Sequence, residues 1–136
     1  MATTKPQPVN PKQVKQFLAD ARKKGAAARK TLNIDEETAY QTAYQAMLKA
    51  SLALMLSHGQ RPRVQLGHHA AIIEFARKHL DPALGPLISL FDRMRRKRNI
   101  AFYDIAIISE VEAEDAVRVA EDYIKAVAID IQTRIP

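Results

Sequence analysis

Between Tyr40 and Met55 the residues Tyr40, Ala43, Tyr44, Met47, Leu48, Ser51, Leu54 and Met55, all but the serine apolar, return at three- and four-residue steps. That period is the signature of one face of an α-helix packed on a core, and a stripe this long needs other helices to cover it. Asn33 or Asp35 caps its start, with acids where the helix dipole favours negative charge. His58-Gly59 ends it, since glycine accepts the left-handed conformation that closes a helix. This is the expected central helix.

Shorter stripes flank it. Asn10-Pro11 reads as a cap followed by a first-position proline, opening a helix that carries Val14, Phe17, Leu18, Ala21 and Gly25 to about Lys30. The alanine- and glycine-rich end of that helix suggests either close packing or a weakly held last turn. After a polar loop from Gln60 to Gly67, His68-His69 opens a short helix with Ile72, Ile73, Ala76 and Leu80 as its core face. Asp81-Pro82 starts a fourth helix, with Gly85-Pro86 delaying regular structure to Leu87. The serine and glutamate of Ser109-Glu110-Val111-Glu112 form a capping box ahead of a last stripe, Ala116, Ala120, Tyr123, Ile124, Val127 and Ile131, ending near Thr133. With no convincing strand, the expected fold is all-α, an antiparallel four- to five-helix bundle. Residues 1–10 are expected to be a flexible N-terminal arm, and residues 11–136 one helical bundle domain.

The fourth helix carries the anomaly. Its stripe Leu84, Leu87, Ile88, Phe91 and Met94 extends in register to Arg98, a side chain that stays charged and must find acceptors or line a cleft when drawn towards a core. Arg93, Arg96 and Lys97 fall on other faces, where they are solvated and suit the negative end of the helix dipole. Together with Arg95 they make five cations between positions 93 and 98. Asn99, Tyr103 and Asp104 follow, and Asp104 is a ready partner for Arg98.

Charge across the chain is uneven. Residues 1–30 hold eight Lys or Arg against one acid and residues 61–103 nine against three, whereas residues 104–136 hold three against eight. Such asymmetry suggests that one part of the surface meets an anionic partner, RNA or DNA or an acidic protein, with Arg61 and Arg63 joining the Arg93–Arg98 run as candidate contacts. The absence of cysteine excludes disulfides and thiolate metal sites, and four histidines leave little for a protein metal cage, so neither metal nor cofactor is expected. Adjacent on a helix, His68 and His69 point about 100° apart and do not chelate one ion as an i, i+4 pair would. His69 is in register with Ile72 and Ile73, which places it near an Arg98 cleft. No stretch is apolar enough to span a bilayer and no signal-peptide core is present, so a cytoplasmic, non-membrane protein is expected.

Arg98-Asn99-Ile100-Ala101-Phe102-Tyr103 resembles the hallmark of the HEPN superfamily, small all-helical domains with an R-x4-6-H motif at the end of one bundle helix, often with a polar residue straight after the arginine. Helix order extends the resemblance loosely over residues 35–133, with the basic N-terminal helix outside it. The resemblance implies a homodimer whose two motifs meet at the interface, a nucleotidyltransferase as a possible partner protein, and a toxin–antitoxin or defence setting. In active members it implies metal-independent RNA cleavage, in which the histidine helps the 2′-hydroxyl attack the adjacent phosphate and the arginine stabilises charge on phosphorus. Here Tyr103 stands at the histidine position. A phenol with a reference pKa of about 10 accepts protons poorly at neutral pH.

Three functions follow as expectations. The first is an RNA- or nucleotide-binding domain with weakened or absent ribonuclease activity, in which Arg98, Asn99, Tyr103, Asp104 and His68 form a polar network. The second is an active endoribonuclease with His69 as a substituted base, and the third is a non-catalytic dimerising protein-interaction module.

Overall fold

The computed structural model describes residues 4–63, 68–103 and 107–136, side chains excepted at 100–103. Five α-helices make up the bulk: α1 (Pro11–Thr31), α2 (Glu36–Ser57), α3 (His68–His79), α4 (Gly85–Tyr103) and α5 (Glu110–Gln132). The expected all-α bundle is what the chain forms.

The capping residues set the boundaries. Asn10 Oδ1 accepts from the backbone N–H groups of Lys12 and Gln13 at 3.1 and 3.3 Å, and Asp35 Oδ1 accepts from that of Thr38 at 3.1 Å. Ser109 and Glu112 close a reciprocal capping box at the start of α5. Gly59 ends α2 with φ 71°, the left-handed conformation that only glycine adopts without cost. The fourth helix begins earlier than expected: Pro82–Leu84 form a 3-10 turn under the Asp81 cap, and α4 runs from Gly85. Pro86 is tolerated there because first-turn N–H groups have no helical partner to lose.

α2 lies at the centre. Ala39, Ala43, Ala46, Ala50 and Ala53 are fully buried on it, and side chains this small let neighbouring helices approach closely. Gly25 of α1 belongs to the same logic, since a Cβ there would sit 3.3 Å from Ile124 Cδ1 of α5. Close packing is therefore the role of that glycine-containing turn. Side-chain pairs fix the directions. α1 runs antiparallel to α2, with Lys49 paired to Asp20, and antiparallel to α5, with Arg29 hydrogen-bonded to Glu121. His69 meets Tyr44 while His79 meets His58, so α3 runs parallel to α2. Lys97–Glu112 and Phe91–Tyr123 make α4 antiparallel to α5. α5 itself runs parallel to α2, as Ser51–Tyr123 and Ser57–Arg134 show.

The N-terminal segment departs from the expectation of a loose arm and of helices alone. Thr4–Pro6 (β1) pairs antiparallel with Gln60–Pro62 (β2), Lys5 opposite Arg61, and the Gln7 N–H donates to the Gly59 carbonyl at 2.9 Å. The glycine turn that ends α2 presents the backbone edge that captures it. Both strands carry proline, which suits a two-stranded ribbon with free outer edges.

Candidate functional site around Tyr44

Three helices converge on the Tyr44 ring. It is fully buried, with Phe91 of α4 edge-on at 5.6 Å between ring centroids. Arg98, two turns further along the same face of α4, holds its guanidinium over the same ring at 5.5 Å. From α3, His69 Nδ1 lies 3.2 Å from the Tyr44 hydroxyl. Arg98 and His69, expected to share a cleft, are thus joined through a tyrosine that the apolar stripe concealed.

Arg98 is half-buried, and among the described residues no carboxylate pairs with it. A guanidinium held over an aromatic face by a cation–π contact can still direct N–H donors at a bidentate oxyanion such as phosphate. The rest of the basic run divides. Arg95 Nε lies 3.0 Å from Asp92 Oδ1, Arg96 Nη2 lies 3.7 Å from Asp92 Oδ2, and Lys97 Nζ donates to Glu112 Oε2 at 2.8 Å. That bond, with the Ser109 N–H, holds the Glu112 carboxyl below its usual range. Arg93 is exposed and lines a hollow of about 190 Å³ with Tyr40 and Met94. Asn99 is exposed at the same end of α4.

Burial sets the electrostatics of the tyrosine. It pushes the Tyr44 phenol up to about 12 against the opposing pull of Arg98 and Arg95, so the hydroxyl remains protonated at neutral pH. The His69 imidazole is pushed below its usual value by burial, then by His68, Arg98 and Arg95. It is neutral at pH 7. A protonated phenol donating to Nδ1 leaves the imidazole hydrogen on Nε2. Reversing that bond, with Nδ1–H donating to the phenol oxygen, would leave Nε2 free to accept a proton. His68 sits edge-on to His69 at 4.7 Å between centroids.

Arg61 and Arg63 are exposed but belong elsewhere: β2 follows the C-terminal end of α2, about 20 Å along that helix from Tyr44 at the normal rise per residue. The side chain of Tyr103 and the whole of Asp104 lie outside the described residues. Among the described residues no group of three or more His, Asp or Glu is arranged to hold a metal ion, and no helix is long and apolar enough to cross a membrane.

The architecture is that of a small helical-bundle domain, with the candidate residue Arg98 near the end of one helix. The HEPN domain family model matches residues 14–130, and the chain belongs to the HEPN family. The match begins inside α1, so the basic N-terminal helix, which the motif resemblance did not reach, is part of the family's domain. No curated protein and no solved structure matches the chain.

Proposed function

We propose that this chain is an HEPN module that binds RNA through Arg98 and retains little or no ribonuclease activity. The observation that supports it best is the place of Arg98: half-buried at the end of the bundle, with its guanidinium over the Tyr44 ring and no carboxylate partner among the described residues, it suits a phosphate ligand. Arg93 and Asn99 extend the same surface. Tyr103 in the position of the motif histidine removes a proton acceptor suited to neutral pH, and general-base catalysis contributes typically about 100- to 10,000-fold. The proposed assembly is a homodimer about this end of the bundle. There the exposed Ile107 and Val111 stand beside the Lys97–Glu112 contact that joins α4 to α5.

A second reading, a ribonuclease using His69 as its base, is favoured by one contact, the 3.2 Å approach of His69 to Tyr44 beneath Arg98. It requires the reversed hydrogen bond. Electrophoresis of a mixed RNA pool after incubation in EDTA, with filter binding of the same RNA, separates the readings. RNA retained intact by the wild type, with affinity that falls with salt and drops about tenfold or more in Arg98→Ala, supports the binding module. Cleavage lost in both Arg98→Ala and His69→Ala would replace it with the ribonuclease. Absence of RNA affinity at low salt would discard both and leave a protein-interaction module.

A further inference from the structure

We propose that the crevice between α1 and α5 is a docking site for an acidic amphipathic helix of a partner protein. It lies at the far end of the bundle from Tyr44. Ile131 and Ile135 belong to the end where Arg134 bonds Ser57, the last residue of α2.

The crevice is a cavity of about 690 Å³ whose floor is Val14 and Leu18 from one side and Ile131 and Ile135 from the other. Lys15, Arg22 and Lys125 stand along its rim, and its lining contains no Asp or Glu side chain. A second hollow of about 280 Å³ shares Arg22 and Lys125 and continues the crevice to Ala26, with one acid in its lining, Glu121, whose carboxylate is paired with Arg29. From Val14 to Ala26 the channel follows α1 for about 18 Å, some three helical turns, which matches an amphipathic helix laying an i, i+3, i+4, i+7 stripe into a groove. Ile129 at the edge is 68% exposed and offers one more apolar contact.

Charge decides the sign of the occupant. An apolar floor under three lysine and arginine side chains favours leucine or isoleucine flanked by glutamate or aspartate and repels a basic helix. Nucleic acid would match the rim and leave the aliphatic floor without a partner. A crevice open along its length also lacks the enclosure that a single acyl chain uses.

The probe is a fluorescein-labelled 18-residue peptide with a leucine stripe flanked by glutamates, followed by anisotropy beside a twin in which lysines replace the glutamates. The acidic peptide should bind and the basic twin should not. Arg22→Glu with Lys125→Glu should weaken binding at least tenfold, while Lys12→Glu with Lys23→Glu, an equal charge change outside the crevice, should leave it within about twofold. Ile129→Asp should weaken it without altering net helicity by circular dichroism. No binding of the acidic peptide, equal binding of the twin, or equal losses in the two charge-reversed pairs would overturn the proposal. Displacement of a bound anilinonaphthalene sulfonate by laurate but not by peptide would assign the crevice to a small amphiphile. Self-association abolished by Ile129→Asp would assign it to a second copy of the chain.

Discussion

Tyr44 carries two separable jobs, and two substitutions divide them. Tyr44→Phe keeps the ring under Arg98 and removes only the hydroxyl that meets His69. The expected loss is about 0.5–1.5 kcal/mol of stability by urea unfolding, the net worth of one hydrogen bond, with RNA affinity within a factor of two of wild type. Tyr44→Leu removes the face on which the guanidinium rests. A cation–π contact of this kind contributes roughly 0.5–2 kcal/mol, so RNA affinity should fall between about twofold and thirtyfold, beyond what the stability loss explains. Equal affinities for the two variants in filter binding would show that the ring does not position Arg98 for RNA. The same residue explains what the sequence hid. Arg98 is legible because a charge interrupts an apolar stripe, whereas Tyr44 is a regular member of its own stripe, and its role exists only where α3 and α4 converge on it.

At the level of elements, side-chain capping was legible because it is written in residues a few positions apart. Asn10-Pro11, Asp35 and the Ser109–Glu112 box all fall at the expected helix starts. The β1–β2 ribbon was not legible, since its bonds are between backbones far apart in the chain and its strands are three residues long with a proline in each. The parallel course of α5 beside α2 was hidden for a similar reason: it depends on how the whole α3–α4 segment crosses, which no local spacing records. Two substitutions test the junctions. Ser109→Ala breaks the capping box and should cost about 0.5–2 kcal/mol in chemical denaturation. Gly59→Ala places a Cβ on a residue at φ 71°, 3.4 Å from the Gln7 carbonyl oxygen, and should cost roughly 1–2 kcal/mol. Because Gly59 also accepts from Gln7, it should speed amide exchange at Gln7 and across the ribbon, whereas Ser109→Ala should leave the ribbon unchanged.

Across the whole molecule, buried titratable groups set unequal limits on stability at the two ends of the pH scale. His58 and His69 are both held below the ordinary imidazole value, chiefly by burial, with Arg134 and His79 adding to the effect at His58 and His68, Arg98 and Arg95 at His69. The unfolded chain therefore binds protons first as pH falls through about 6.5, and the folded state loses stability from there downward. Both rings are half-exposed, so this acid limb is shallow until the carboxylates Asp35, Glu112 and Glu121, all held low by their partners, begin to protonate. At the alkaline end three buried phenols act together. Burial pushes Tyr40 and Tyr44 up to about 12 and raises Tyr123, which is fully enclosed with its hydroxyl 2.6 Å from Ser51 Oγ. Above about pH 10 the unfolded chain releases those protons and the folded chain does not, so stability falls with rising pH by about 1.4 kcal/mol per unit for each phenol. Three such groups remove about 4 kcal/mol per pH unit, a large part of the roughly 5–15 kcal/mol that stabilises a typical domain. Urea midpoints measured from pH 4 to 11.5 should therefore show a broad plateau, a gentle acid slope beginning near 6.5 and a steep alkaline collapse. Tyr123→Phe should flatten the alkaline limb by about one third while leaving the acid limb in place. An alkaline limb unchanged by that substitution would mean that the Tyr123 phenol ionises as readily in the folded chain as in the unfolded one.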